Sequence, residues 1–203
     1  PYPLTIFSPT IDLSIEMKVE PFTPLQTPRL LLRRLTRGDA AALCAYRNLP
    51  EVARYQSWET FETDDAIRLI EKNTAVEPGL PYTWFQLGII EQKSGRLAGD
   101  CGLHCLGDDT QLMELGITLA PEAQGKGYAA EALSAAIEYI FNSLGAHRIS
   151  AVTDADNVAA KALFLRLGFR QEAHHIEHIK FKGAWGSECV FALLQREWLT
   201  DQK

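Results

Sequence analysis

The sequence has no run near the ~18 consecutive apolar residues of a membrane helix, and no basic-then-apolar leader opens it. A cytoplasmic protein is the expectation. A basic surplus is also missing. The 20 lysines and arginines face 26 aspartates and glutamates, giving a net charge of -6 and a pI of about 5.4. Gripping a phosphate backbone demands a concentrated positive surface, so no nucleic-acid partner is expected. The one dense basic cluster, Arg33, Arg34 and Arg37, reads as solvated charge at a strand end. Cysteines are few, four in all. Cys101 and Cys105 fall in one predicted strand, about 13 Å apart at ~3.3 Å per residue, beyond disulfide reach. All four are expected as reduced, mostly buried thiols. No internal repeat or low-complexity tract is present.

What the chain does have is enough apolar mass for one good-sized core: 203 residues, 46% of them hydrophobic. Proline recurs at Pro1, Pro3, Pro9, Pro21, Pro24 and Pro28, which resists both helix and central strand. Residues 1–26 therefore read as an N-terminal arm, in which Thr10–Val19 could still pack as an edge strand. Residues 27–199 read as a single domain.

Within that domain, Arg29–Leu35 is an apolar strand. Thr36-Arg-Gly-Asp39 then caps a helix running to about Asn48. A second helix begins near Thr63, where Asp64 and Asp65 favour the positive end of the helix dipole rather than forming a metal site. Thr83–Glu91, Leu97–Leu106 and Gln111–Leu119 follow as strands joined by short turns, hence an antiparallel meander. After Pro121 a helical stripe appears: Ala129, Leu133, Ala136, Ile137, Ile140 and Leu144. The crossover it supplies should set His147–Thr153 parallel to the Gln111 strand. A helix over about Asn157–Leu167 stops at Gly168, Phe169 starts a strand, and Glu188–Leu194 forms the last one after the turn Lys182–Gly186.

Chemistry concentrates in Gln124-Gly125-Lys126-Gly127-Tyr128-Ala129, between a strand and a helix start. Glycines there let backbone amides converge, and the helix dipole adds positive potential, which suits a phosphate or pyrophosphate. An ordinary glycine turn would look the same. Gly125, Gly127 and Ala130 also satisfy a dinucleotide fingerprint. That reading wants an acidic residue about 20 positions on, where Gly145 stands, and parallel strands upstream.

The loop resembles the acyl-CoA pyrophosphate loop of the GNAT superfamily, with Gln124, Gly127 and Ala129 in the pattern positions. Asn157 opening a helix that ends in Gly168-Phe169 resembles the family's second block. Thr27-Pro28-Arg29-Leu30, Gly102-Leu103-His104, Glu114-Leu115-Gly116-Ile117 and Gly183-Ala-Trp185 resemble the Rim-type branch, which acetylates ribosomal-protein N-termini, and its relatives acting on small amines. The resemblance spans about Thr27–Trp198. It implies an α/β fold, a mixed sheet of about seven strands with flanking helices, splayed where the Gln111 and His147 strands part. Acetyl-CoA would be the donor and a protein N-terminal or small-molecule amine the acceptor, with no metal. Ile117, Thr118 and Leu119 would lend backbone to the pantetheine arm. Gln124, Gly125, Lys126, Gly127, Tyr128 and Ala129 would hold the pyrophosphate. Asn157 would bond the pantetheine or phosphate region, with Phe164 beside it. A homodimer stays open. The rivals are a non-catalytic acyl-CoA sensor and, further off, a nicotinamide-dependent oxidoreductase.

An attacking amine must be neutral, which takes about 1.4 kcal/mol at pH 7 for an α-amine and about 4.6 for lysine. Glu114 is the candidate base, acting through water; a strand carboxylate bonded to a neighbour is the alternative. Phe164 and Ala160 stand where superfamily members often have a tyrosine acid and a serine. The general acid is therefore Tyr139, Tyr82 or water, or the thiolate leaves unaided. In a regular strand His174 and His178 would stand about 13 Å apart with His175 on the other face, so these read as surface histidines. Trp58, Trp84 and Tyr82 either line an acceptor pocket or pack at its rim.

Overall fold

A computed structural model describes residues 21–201 of the chain; the segment Thr10–Val19 lies outside them. Its middle layer is an eight-stranded sheet. Seven strands are those anticipated: β2 (Leu30–Arg34), β3 (Trp84–Glu91), β4 (Leu97–Cys105), β5 (Leu112–Leu119), β6 (Arg148–Asp154), β7 (Arg170–Phe181) and β8 (Ala184–Leu194). The eighth, β1 (Leu25–Gln26), is two residues long, too short for any periodicity to announce it. The order is β1-β2-β3-β4-β5-β6-β8-β7.

Local chemistry explains the helices. α1 (Ala40–Arg47) follows a 3-10 turn at Arg37–Asp39 closed by the Thr36–Asp39 capping box. α3 (Thr63–Thr74) starts from a reciprocal box between Glu62 and Asp65. α4 (Tyr128–Asn142) and α5 (Val158–Arg166) are the two expected helices of the second half. Two short ones carried no periodic signal: α2 (Pro50–Ala53) and α6 (Gln195–Asp201). The last hairpin is tighter than the sequence implied. Lys182 and Gly183 both take positive φ, 47° and 83°, so β8 begins at Ala184 instead of Glu188. Among the described residues no helix is long and apolar enough to cross a membrane.

α4 buries Leu133, Ala136, Ile137 and Ile140 against Met113, Leu115, Ile149 and Ala151 on one sheet face. α1 and α3 close the other face over Leu35, Leu43, Tyr46 and Ile70. β3, β4 and β5 form the meander, and β5 and β6 run parallel, as the α4 crossover requires. That parallel pairing covers only Leu112–Arg148, Met113–Ile149 and Glu114–Ser150. Past Glu114 the two strands part, and no ladder joins Leu115–Leu119 to Ala151–Asp154. The open wedge between them positions the candidate site.

Candidate active site

Register places three rows of side chains on the sheet face opposite α4: Trp84–His104–Glu114, Gln86–Gly102–Gly116 and Gly88–Asp100–Thr118. Over these rows lies a cavity of about 670 Å³, walled by Trp58, Phe61, Trp84, Val152 and Phe164 and floored by Gln86, Asp100, Gly102 and Gly116. The Trp84 ring lies so close over Gly102 that a Cβ there would stand 2.8 Å from it. Asp100 is 1% exposed, and burial of a charge demands partners. It accepts from Tyr46, from Gln86 and from Arg47, the last in an ion pair of 2.6 Å. Arg47 itself packs against the Trp58 and Phe61 rings, 4.5 Å from each centroid.

A second cavity of about 550 Å³ adjoins the first and shares Tyr55, Gln56, Ile117, Thr118, Asn157 and Ala160 with it. It runs past Leu119 to Gln124, Gly125, Gly127, Tyr128 and Ala129. Gly125 and Gly127 take φ of 72° and 80°, and Gly127 is the N-cap of α4 with no side-chain cap. The first amides of α4 thus have neither intrahelical nor capping partners. Such a cradle fits a pyrophosphate. Asn157 caps α5 by accepting from the Ala160 amide at 3.1 Å, which leaves its Nδ2 to donate. Lys126 does not line the cavity; its carbonyl accepts from Arg29 at 2.8 Å and its ammonium stands 5.9 Å from the Tyr128 ring centroid. The Tyr128 side chain turns into the core and bonds Glu91. A Cβ on Gly127 would point at Arg29 Nη2, 3.4 Å away, rather than into the cradle.

The sequence profile of the acetyltransferase (GNAT) domain matches residues 29–170. The chain belongs to that family. It is 35% identical over 153 residues to an uncharacterized N-acetyltransferase of Bacillus subtilis strain 168, YoaA, covering 74% of this chain and 85% of that one. The alanine N-acetyltransferase of ribosomal protein uS5 from Escherichia coli K12 is 34% identical over 84 residues, 41% of this chain and 43% of its own. A spermidine N-acetyltransferase from Vibrio cholerae, solved in complex with CoA and spermine, superposes with a TM-score of 0.74 at 26% identity, covering 85% of this chain and 99% of that one. The chain is an N-acetyltransferase with a mixed α/β sheet that matches those structures, and its eight strands are one more than the seven expected from the sequence.

In this acetyltransferase Glu114 sits one register row beyond Gly116, in the row of Trp84; Trp84 lines the larger cavity, and Glu114 itself lines neither of the two. Burial pushes its carboxyl above the usual carboxylate range; His104 opposes the rise and Glu188 adds to it. Phe164 is buried and packs on Phe169 and Phe191, both at 5.5 Å. Tyr139 packs against Phe22 in the opposite layer, and burial pushes its hydroxyl up to about 12. Tyr82 is exposed beside Asp108. Neither lines either of these two cavities, whereas Tyr55 lines both and reaches the Asp156 carbonyl at 3.4 Å. Sequence reasoning missed Tyr55 because it lies in an aperiodic stretch between helices. It missed Arg47 and Asp100 too, although a lone carboxylate in the apolar run Leu97–Cys105 was a readable signal of a buried pair. Trp58 and Trp84 line the larger cavity and Tyr82 does not. His175 and His178 do meet, ring centroids 4.9 Å apart, because β7 bulges between His175 and Ile179 with Glu177 at φ 47°. No group of three or more metal-ligating side chains occurs among the described residues.

Proposed function

We propose that this acetyltransferase moves the acetyl group of acetyl-CoA to a primary amine, an α-amine of a peptide or a small monoamine, by direct attack. The observation that carries the reading is the continuity of the two cavities through the β5–β6 wedge. One end offers free helix amides, the middle an unpaired strand edge, and the other end aromatic walls beside a half-buried carboxylate. Asn157 and the amides from Gly125 to Ala129 hold the donor, and Ile117 to Leu119 align its arm as an added strand. Glu114 takes the proton that the amine sheds, through water, as the C–N bond forms and the C–S bond breaks. Tyr55, which lines both cavities, is the candidate to protonate the departing thiolate, turning its hydroxyl away from the Asp156 carbonyl to do so.

Polyamines fit less well. The two carboxylates lining the larger cavity, Asp65 and Asp100, are already paired with Arg68 and Arg47. The test is twofold: thermal melts with acetyl-CoA and with NADH, then release of CoA thiol across a panel of peptides, monoamines and spermidine. Binding at 100 times the dissociation constant adds about 2.7 kcal/mol, easily seen as a melting shift. A shift with acetyl-CoA alone and thiol release with an α-amine or monoamine are the expected results. Equal shifts with NADH would overturn the donor assignment. Binding without turnover would leave only a sensor.

A further inference from the structure

His104 occupies the middle of β4, in register with Trp84 on one side and Glu114 on the other. Its ring stacks on Trp84, centroids 4.5 Å apart and planes 12° from parallel. The Nδ1 atom is buried and has no hydrogen-bond partner. Glu114 Oε2 stands 3.9 Å from it and, among the described residues, is the one carboxylate within ion-pair reach. A buried ring nitrogen without a partner is costly, and the Glu114 carboxylate is the acceptor that closing this 3.9 Å gap would supply. A carboxylate can only accept, so the fitting tautomer carries its proton on Nδ1.

We propose that His104 is the positioning residue of the base: its Nδ1–H donates to the Glu114 carboxylate, orienting it and keeping it ionised until the acceptor amine arrives. The inference rests on the acetyl-transfer reading above. Glu114 is faced by His104 from β4, by Ser150 from β6 and by Glu188 from β8. His104 is faced by Trp84 from β3 and Glu114 from β5. Burial and Glu188 both favour the protonated carboxyl, which cannot act as a base, and His104 is the group that opposes them. Trp84 also walls the acceptor cavity, so an acceptor packed against it bears on the His104 ring. In the reaction the amine proton passes through water to Glu114 and then to solvent.

The test compares kcat/KM against pH, at saturating acetyl-CoA, for the wild type, His104→Phe and His104→Asn. Phenylalanine keeps the stack and deletes the donor; asparagine restores an amide nitrogen near the Nδ1 position. The acid limb should move up by about one pH unit in His104→Phe, a loss of about tenfold below it and little at high pH. His104→Asn should keep the wild-type limb. On a Glu114→Gln background, His104→Phe should add no further loss. A loss uniform across pH, or a full penalty on that background, would assign His104 a packing role only. Carbon-13 NMR titration of the Glu114 carboxyl needs no turnover and separates the two readings. If no amine is acetylated but the Glu114 midpoint rises in His104→Phe, acetyl transfer fails and the pairing stands. An unmoved midpoint overturns the pairing.

Discussion

Gly127→Val places a β-branched side chain at φ 80°, where the chain enters α4. A left-handed conformation costs a residue with a Cβ about 1–2 kcal/mol. The new Cβ would also stand 3.4 Å from Arg29 Nη2. That guanidinium cannot yield freely, because it donates to the Lys126 carbonyl at 2.8 Å and pairs with Glu131 at 2.6 Å. Arg29 is half-exposed, so disturbing the pair adds no more than about 1 kcal/mol. A total of about 2 kcal/mol lowers the melting temperature by about 4–8 °C in a domain of this size. If the loop relieves the strain by turning over, the free amides of α4 lose their common direction. CoA affinity should then fall by about 10- to 100-fold, each tenfold being about 1.4 kcal/mol. Lys126→Ala removes an ammonium that points at Tyr128, not into the cradle, and a screened surface charge should change affinity by less than about threefold. Calorimetric titration of CoA into both variants, with circular dichroism melts as the folding control, makes the comparison. If Lys126→Ala proves as damaging as Gly127→Val, side-chain charge holds the anion and the amide cradle is the wrong account.

Glu114→Gln should lower turnover by about 10- to 1000-fold at neutral pH with CoA affinity unchanged, and the deficit should shrink as pH rises because the amine then arrives neutral; wild-type turnover from pH 6 to 9 would remove Glu114 from the reaction. Because burial raises the Glu114 carboxyl, activity should climb as pH passes upward through a midpoint above the ordinary glutamate range, which a kcat/KM–pH profile reads directly. Asp100→Ala strands the buried Arg47 guanidinium, and breaking such a pair costs about 3–5 kcal/mol, so the melting temperature should drop by about 6–20 °C. Arg148 and Arg170 hold Glu172 down at about 2, so its contribution is present above the ordinary glutamate pKa and disappears as pH falls through about 2. Glu172→Gln should therefore destabilise by up to about 1 kcal/mol at pH 7, with the gap to wild type closing in melts taken near pH 2.

The sequence was most legible where one short-range rule acts alone. Thr36 and Asp39, and Asn157, close their helices by bonds spanning three residues, and Asp64 and Asp65 mark the first turn of α3, so spacing alone locates these starts; the Glu62–Asp65 box emerged only in the structure. Alternation and short turns separated β3, β4 and β5, and a helical crossover forced β6 parallel to β5. Where the rule failed, a local irregularity intervened. The β7 bulge brought His175 to His178, and the positive φ of Lys182 and Gly183 lengthened β8.

The residues of the proposed chemistry divide the same way. Order along the chain determined the Gln124–Ala129 loop and the Asn157 cap, because amide direction there follows from glycine and helix start within a few residues. Only the tertiary structure decided what lies beside Glu114. His104 is ten residues away along the chain and joins it through strand register. Tyr55 reaches the wedge from an aperiodic loop, and Arg47 meets Asp100 across a sequence separation of 53 residues. Contacts of that range are settled by register and by packing two layers onto one sheet. No local pattern of residues encodes either.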